Sequence, residues 1–166
     1  MPSPPPPEGA ADPADDDVAL GLLLAVAHER ARHALNEALA PLGIEARHYG
    51  VLAALARHGP SSQRRLSTLL DVDKSAMVRI MDDLERRGLA TRNRDVHDRR
   101  AYAIELTAEG RRAAREGGAV AAAVGGRLFG WLEPSDRARL VAMLTRISRR
   151  AAGDGNGNGE GDGNGD

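Results

Sequence analysis

The chain has 166 residues, 42% of them hydrophobic, yet it holds only one Trp, two Tyr and one Phe. That is enough for one domain with a core of Leu, Ala, Val, Ile and Met, and the absence of cysteine excludes disulfides, zinc–thiolate sites and thiol redox switches. The net charge of −1 conceals an uneven distribution: residues 1–17 carry five acids and 153–166 carry four, neither with a base, so the body between them sets 23 bases against 15 acids, an excess that suits a nucleic-acid partner.

No apolar stretch is long and uncharged enough to span a bilayer. The first residues are prolines and acids where a secretion signal would be basic and then apolar, so a cytoplasmic protein with no membrane partner is expected. Residues 1–17, a proline run and then an acidic patch, read as a disordered tail. Residues 18–40 form a long helical segment closed by Pro41-Leu42-Gly43. Leu20, Leu23, Leu24, Ala27, Ala31, Ala34, Leu35 and Ala38 give it an apolar face too broad for a small core, which predicts burial against a second copy of the chain. His28 and His33 stand five apart, poor spacing for a shared metal, and no metal or cofactor is expected. Residues 44–57 form a second helix with His48, Val51, Leu52 and Leu55 on one face, ending at His58-Gly59-Pro60.

Residues 63–70 form a short helix with Leu66, Leu69 and Leu70 apolar. Only Asp71, Val72 and Asp73 separate it from a helix over 74–87. There Met77, Ile80, Met81 and Leu84 make one apolar stripe, and Ser75, Arg79, Asp82 and Arg86 occupy the opposite face. Asp73 is placed to cap that helix at its start and Gly88 to end it. Two short helices, a tight turn and a polar outer face fit a helix-turn-helix. Leu89 to Arg94 reads as extended, residues 95–101 as a charged tip, and Tyr102 to Leu106 as a returning strand. This is a β-hairpin, or wing, with Arg92, Arg94, Arg99 and Arg100 around its tip. Asp95 and Asp98 offset the repulsion among them. A pair between Asp98 and Arg100 fixes the tip and leaves Arg99 free, or the assignment runs the other way.

The run Leu84-Glu85-Arg86-Arg87-Gly88-Leu89, then Arg92, then Asp98-Arg99-Arg100-Ala101, then Leu106-Thr107-Ala108-Glu109-Gly110 resembles the MarR family of winged-helix transcription regulators. Asp98 and Arg100 match the family's Asp-x-Arg wing motif, and Leu106, Thr107 and Gly110 its Leu-Thr-x-x-Gly junction into the next helix. The resemblance extends over residues 18–150. It implies a mainly α, winged helix-turn-helix fold of about six helices and a two-stranded β-wing, in a domain over 18–152. It also implies a homodimer built from the first helix and the last two, bound to a pseudo-palindromic operator in double-stranded DNA, usually as a repressor. In the recognition helix Ser75, Ala76, Val78 and Arg79 are expected nearest the bases, with Lys74 and Arg64 or Arg65 on phosphates. The wing offers Arg92, Arg94, His97, Arg99 and Arg100 to the backbone or an adjacent minor groove. Family members often accept small ligands in a cleft near the start of the second helix. That makes His28, Arg47, His48 and Tyr49 the expected contacts of a small aromatic or phenolic anion; packing and hydrogen bonding within the fold is the plainer role for His48 and Tyr49.

No nucleophile elbow, phosphate loop or metal-binding His/Glu spacing marks an enzyme. Two alternatives stay open: a winged-helix regulator with no small ligand, and an interaction module that has lost DNA binding. Further on, Thr107 is placed to cap a fifth helix running toward Phe129. Gly110, Gly117, Gly118, Gly125 and Gly126 within it predict a helix that is weak, kinked or closely packed, since an interior glycine costs roughly 1 kcal/mol against alanine. Leu128, Phe129, Trp131 and Leu132 form a dense apolar cluster. Glu133-Pro134 opens a last helix whose stripe is Leu140, Met143, Leu144 and Ile147. The Gly/Asp/Asn run over 153–166 reads as a flexible acidic tail.

Overall fold

The computed structural model describes residues 13–94 and 102–154. The wing tip, with His97, Asp98, Arg99 and Arg100, lies outside the described residues, as do residues 1–12 and 155–166. Helix α1 (Pro13–Leu39) runs into a 3₁₀ turn, Ala40–Leu42, followed by α2 (Ala46–His58), β1 (Ser61–Ser62), α3 (Gln63–Leu70) and α4 (Lys74–Arg86). Strands β2 (Ala90–Arg94) and β3 (Tyr102–Leu106) come next, then α5 (Ala108–Phe129) and α6 (Pro134–Asp154).

This is the mainly helical order expected, with differences at the edges. Helix α1 begins at Pro13, so residues 13–17 are helical rather than part of a tail. Proline presets φ for a first helical turn, and Asp15 and Asp16 in that turn face the positive end of the helix dipole. The acids that composition assigned to a tail are thus start signals. At the other end α6 continues to Asp154. The wing is not a lone two-stranded hairpin either: β1 pairs with β3, giving an antiparallel sheet in the order β1-β3-β2. Ser61 lies opposite Ile104 and Ser62 opposite Ala103, while β2 pairs with β3 from Ala90 opposite Leu106 to Arg94 opposite Tyr102.

The chain divides into two compact units, Met1–Val124 and Gly125–Asp166. The core of the first draws on most of its elements: Leu39 of α1, Val51 and Leu52 of α2, Leu66 of α3, Met77, Met81 and Leu84 of α4, and Ile104 of β3 are all buried. Leu69, apolar on the same helix as the buried Leu66, is exposed, while Leu70 packs partly buried against the core. The second half of α1 packs on this core through Leu35 and Leu39. Its first half does not: Val18, Leu20, Leu22 and Leu23 are each more than half exposed.

Helix α5 runs unbroken through its glycines, and two of them are sites of close approach. A Cβ on Gly110 would lie 1.8 Å from the Leu89 carbonyl oxygen, and one on Gly117 would lie 2.7 Å from the Tyr49 ring. Around Gly125 and Gly126 the space is open. Thr107 caps the helix as expected: its hydroxyl accepts from the Gly110 N–H at 2.9 Å and donates to the Gly88 carbonyl at 2.7 Å, which joins the start of α5 to the end of α4. In the second unit the Trp131 indole N–H donates to the Leu128 carbonyl and Arg137 donates to that of Phe129, while Leu140, Val141, Met143, Leu144 and Ile147 remain open to solvent.

Candidate nucleic-acid interface

The helix-turn-helix is built by local chemistry. Helix α3 starts at Ser62, whose hydroxyl accepts from the Arg65 N–H at 3.2 Å, and ends at Asp71, which takes a left-handed conformation with φ +51°. Aspartate tolerates that conformation better than most residues, so the chain turns within three residues into α4. Asp73 then caps α4, accepting from the Ala76 N–H at 2.8 Å and from the Ser75 hydroxyl at 2.6 Å. These hydrogen bonds, that of the Ser75 hydroxyl first, hold the Asp73 carboxyl below the usual carboxylate range. At the far end Gly88, with φ +68°, closes a Schellman motif: its N–H donates to Glu85 O and that of Leu89 to Leu84 O, with both leucines buried.

Helix α4 is therefore fixed at both ends with Met77, Ile80, Met81 and Leu84 inward. Lys74, Ser75, Val78 and Arg79 face solvent, as do Asp82 and Arg86 further along. Ala76 is half-buried on the flank, so of the four residues expected nearest the bases it is the least available. Arg64 and Arg65 stand exposed on α3, where with Ser62, Thr68 and Leu69 they line a shallow hollow of about 410 Å³. Arg94 is exposed at the end of β2.

Arg92 does not join this surface as expected. Its guanidinium is paired with Glu85 and, at 2.9 Å, with Asp82, and its backbone N–H donates to Glu85 at 3.0 Å. Two carboxylates on the neighbouring helix hold it, so its charge is largely met within the chain. The signal was present in the sequence: Asp82, Asp83 and Glu85 crowd three acids onto a helix meant to approach phosphates, and each needs a cation nearby.

Asp83 finds its cations on other sides. Arg86 lies 2.6 Å from it, Arg87 3.6 Å, and His48 Nε2 2.9 Å. Burial pushes the Asp83 carboxyl up, but these neighbours together more than offset it and hold it below the usual range. His48 is sealed from solvent at the start of α2, so the expectation that it meets a ligand is corrected. Its Nδ1 accepts from the Glu45 N–H at 3.1 Å, completing a reciprocal cap with the Glu45 side chain. The neutral ring therefore carries its proton on Nε2, near Asp83 though not well aligned on it. Burial, with Arg47 adding to it, lowers the His48 pKa from its ordinary 6.5 against the opposing pull of Asp83 and Glu45. Arg87 also donates to the Gly43 carbonyl, so α4 is tied to α2 and to the turn before it.

The other residues expected to meet a ligand are not drawn together. Arg47 is exposed and paired with Glu45, His28 is exposed on α1, and Tyr49 packs its ring on Gly117. A cavity of about 440 Å³ lies instead at the opposite end of α2, with Leu55, Pro60, Leu106 and Ala114 as apolar walls and Glu105, Arg111 and Arg115 beside them. Among the described residues, no three His, Asp or Glu side chains gather as a metal site, and no helix is long and apolar enough to cross a membrane.

A buried three-helix core, a capped outer helix and a hairpin beside it define the winged helix-turn-helix class. The MarR family model matches residues 42–101, from the end of the 3₁₀ turn to just before β3, and the chain belongs to the MarR family. The multiple antibiotic resistance protein MarR of Salmonella typhimurium is 30% identical over 93 residues, covering 56% of this chain and 65% of that protein. Matches to curated relatives span between 37% and 65% of those proteins' length. Among solved structures, CouR of Rhodococcus jostii RHA1 bound to p-coumaroyl-CoA superposes with a TM-score of 0.73 at 33% identity, covering 82% of this chain and 95% of that one. A single-site mutant of MarR from E. coli, complexed with operator DNA, superposes with a TM-score of 0.74 at 25% identity, covering 82% of this chain and 99% of that one.

Proposed function

We propose that the chain is a cytoplasmic, sequence-specific DNA-binding transcription regulator rather than an enzyme, and that it acts as a homodimer. One observation carries the reading. Helix α4 buries every apolar residue of one stripe and holds Lys74, Ser75, Val78 and Arg79 outward with both ends capped. A rigid outer helix of that kind enters the major groove with Arg79 at base edges, while Lys74, Arg64, Arg65 and Arg94 meet phosphates. The relatives supply the same direction, since a MarR structure of this fold was solved on operator DNA. The dimer follows from the bare apolar faces of α1 and α6, which a second copy covers.

The mode is repression relieved by a small aromatic anion. A neighbour of this fold was solved with p-coumaroyl-CoA. In this chain the receiving place is the cavity at the far end of α2, where apolar walls suit a ring and Arg111 and Arg115, outnumbering the one carboxylate of Glu105, suit an acid group. The wild-type chain, incubated with a random duplex pool, should enrich one inverted repeat, and Arg79→Ala should erase the enrichment. An unchanged pool from the wild type would contradict the function, and a DNA affinity indifferent to aromatic carboxylates would contradict the ligand response alone.

A further inference from the structure

Glu85 grips β2 at two points: it accepts from the backbone N–H of Arg92 at 3.0 Å and from its guanidinium, whose other arm reaches Asp82 Oδ1 at 2.9 Å. The Arg92 and Glu85 side chains are 29% and 30% exposed, so water screens the pair less than an ordinary surface ion pair. A carboxylate that holds the backbone and the side chain of one residue fixes both the position and the direction of the strand. Asp82 lies on the outer face of α4, where a free carboxylate would repel phosphates, and Arg92 neutralises it.

We propose that Arg92 and Glu85 are positioning residues: together they set the wing against the recognition helix, so that helix and hairpin meet DNA as one rigid body. The proposal rests on the DNA-binding function above. It separates from simple charge effects by sign. Glu85→Gln removes a negative charge close to DNA, which by electrostatics alone raises affinity. In a clamp the same change releases the guanidinium, loosens the wing and lowers affinity.

The chain has no cysteine, so nitroxides on Val78→Cys and Tyr102→Cys, both exposed positions, report the distance between α4 and the wing without background. Labelled chain diluted into unlabelled chain reads one protomer at a time. The wild type should give one narrow distance. Glu85→Gln and Arg92→Met should broaden it with little change in the thermal melt, and the exchange Glu85→Arg with Arg92→Glu should narrow it again. On the duplex that the wild type enriches, Glu85→Gln should bind about tenfold more weakly, equivalent to about 1.4 kcal/mol. It should lose hydroxyl-radical protection at the outer flanks and keep protection in the major groove. Unbroadened distances in both variants, or Glu85→Gln binding as tightly as the wild type, overturn the proposal. Broadened distances in a chain that enriches no duplex overturn the DNA-binding reading, and with it the clamp's role, while its geometry stands.

Discussion

Helix α4 and the first half of α1 treat their apolar residues in opposite ways. In α4 every residue of the apolar stripe is buried within the same chain, and what is left outside is polar or charged apart from Val78 and the half-buried Ala76. In α1, Val18, Leu20, Leu22, Leu23, Leu24 and Val26 are left bare, and Leu23 is 66% exposed. Helix α6 repeats the pattern, with no buried residue among those described. The reading head is thus complete in one copy of the chain and its ends are not. Two such faces call for a cover, and in the function proposed above a second copy supplies it under twofold symmetry.

The sharpest way to break the comparison is to charge the bare face. Leu22→Asp with Val26→Asp repeats in each protomer, so four side chains lose burial worth roughly 1.5–3 kcal/mol apiece. Sedimentation equilibrium should show the dimer weakened on the order of 10⁴-fold or more, with DNA binding lost alongside it. A dimer that survives would place the interface elsewhere.

The glycines of α5 sharpen the contrast between a filled region and an open one. Gly110→Ala drives a Cβ into the Leu89 carbonyl and should lower stability by about 3 kcal/mol or more. Gly126→Ala meets nothing in one copy and should raise stability by up to roughly 1 kcal/mol through helix propensity. Denaturant melts of the two variants check the opposite signs, and a large loss from Gly126→Ala would mean that the partner packs there.

Within the reading head, Arg79→Ala should cost about 1–3 kcal/mol on the enriched site and much less on random DNA. Arg94→Ala should weaken both by similar factors, because a phosphate contact carries no sequence information. Competition binding at fixed salt separates the two, and a selective loss from Arg94→Ala would exchange their roles.

The smallest expected effect is a pH response of the reading head. Folding holds the His48 pKa below 6.5, so as pH falls through that value the unfolded chain takes up a proton that the folded chain resists. Stability from this site is whole above about pH 6.5 and declines below it. The proton would also occupy Nδ1, which accepts the Glu45 N–H. Melting curves taken on either side of that pH should show this component in the wild type and lose it in His48→Asn.

Much of this architecture was legible in the sequence because its causes are local. The Asp73 cap, Gly88 at the helix end, the Thr107 junction and the four-residue stripe of α4 each depend on neighbours a turn or two away. The start of α1 was legible too, but Pro13 with Asp15 and Asp16 was assigned to a tail on composition when position was the stronger signal. Strand β1 was not, since two serines carry no period and pair only because β3 lies beside them. The pairing of Arg92 was half legible: the acids Asp82 and Glu85 stand out on α4, but nothing in the spacing shows that β2 brings Arg92 to them. The cavity at the far end of α2 is assembled from α2, the turn that follows it, β3 and α5, whose approach no spacing encodes. His97, Asp98, Arg99 and Arg100 remain expectations for the wing tip.

The central claim is that two copies of α4 lie in successive major grooves. Methylation interference at guanine N7 on the enriched duplex tests it most directly, because that atom lies in the major groove. Two clusters of interference are predicted, centred about 10–10.5 base pairs apart, both lost with Arg79→Ala. A single cluster, or no interference at guanine N7, would contradict it.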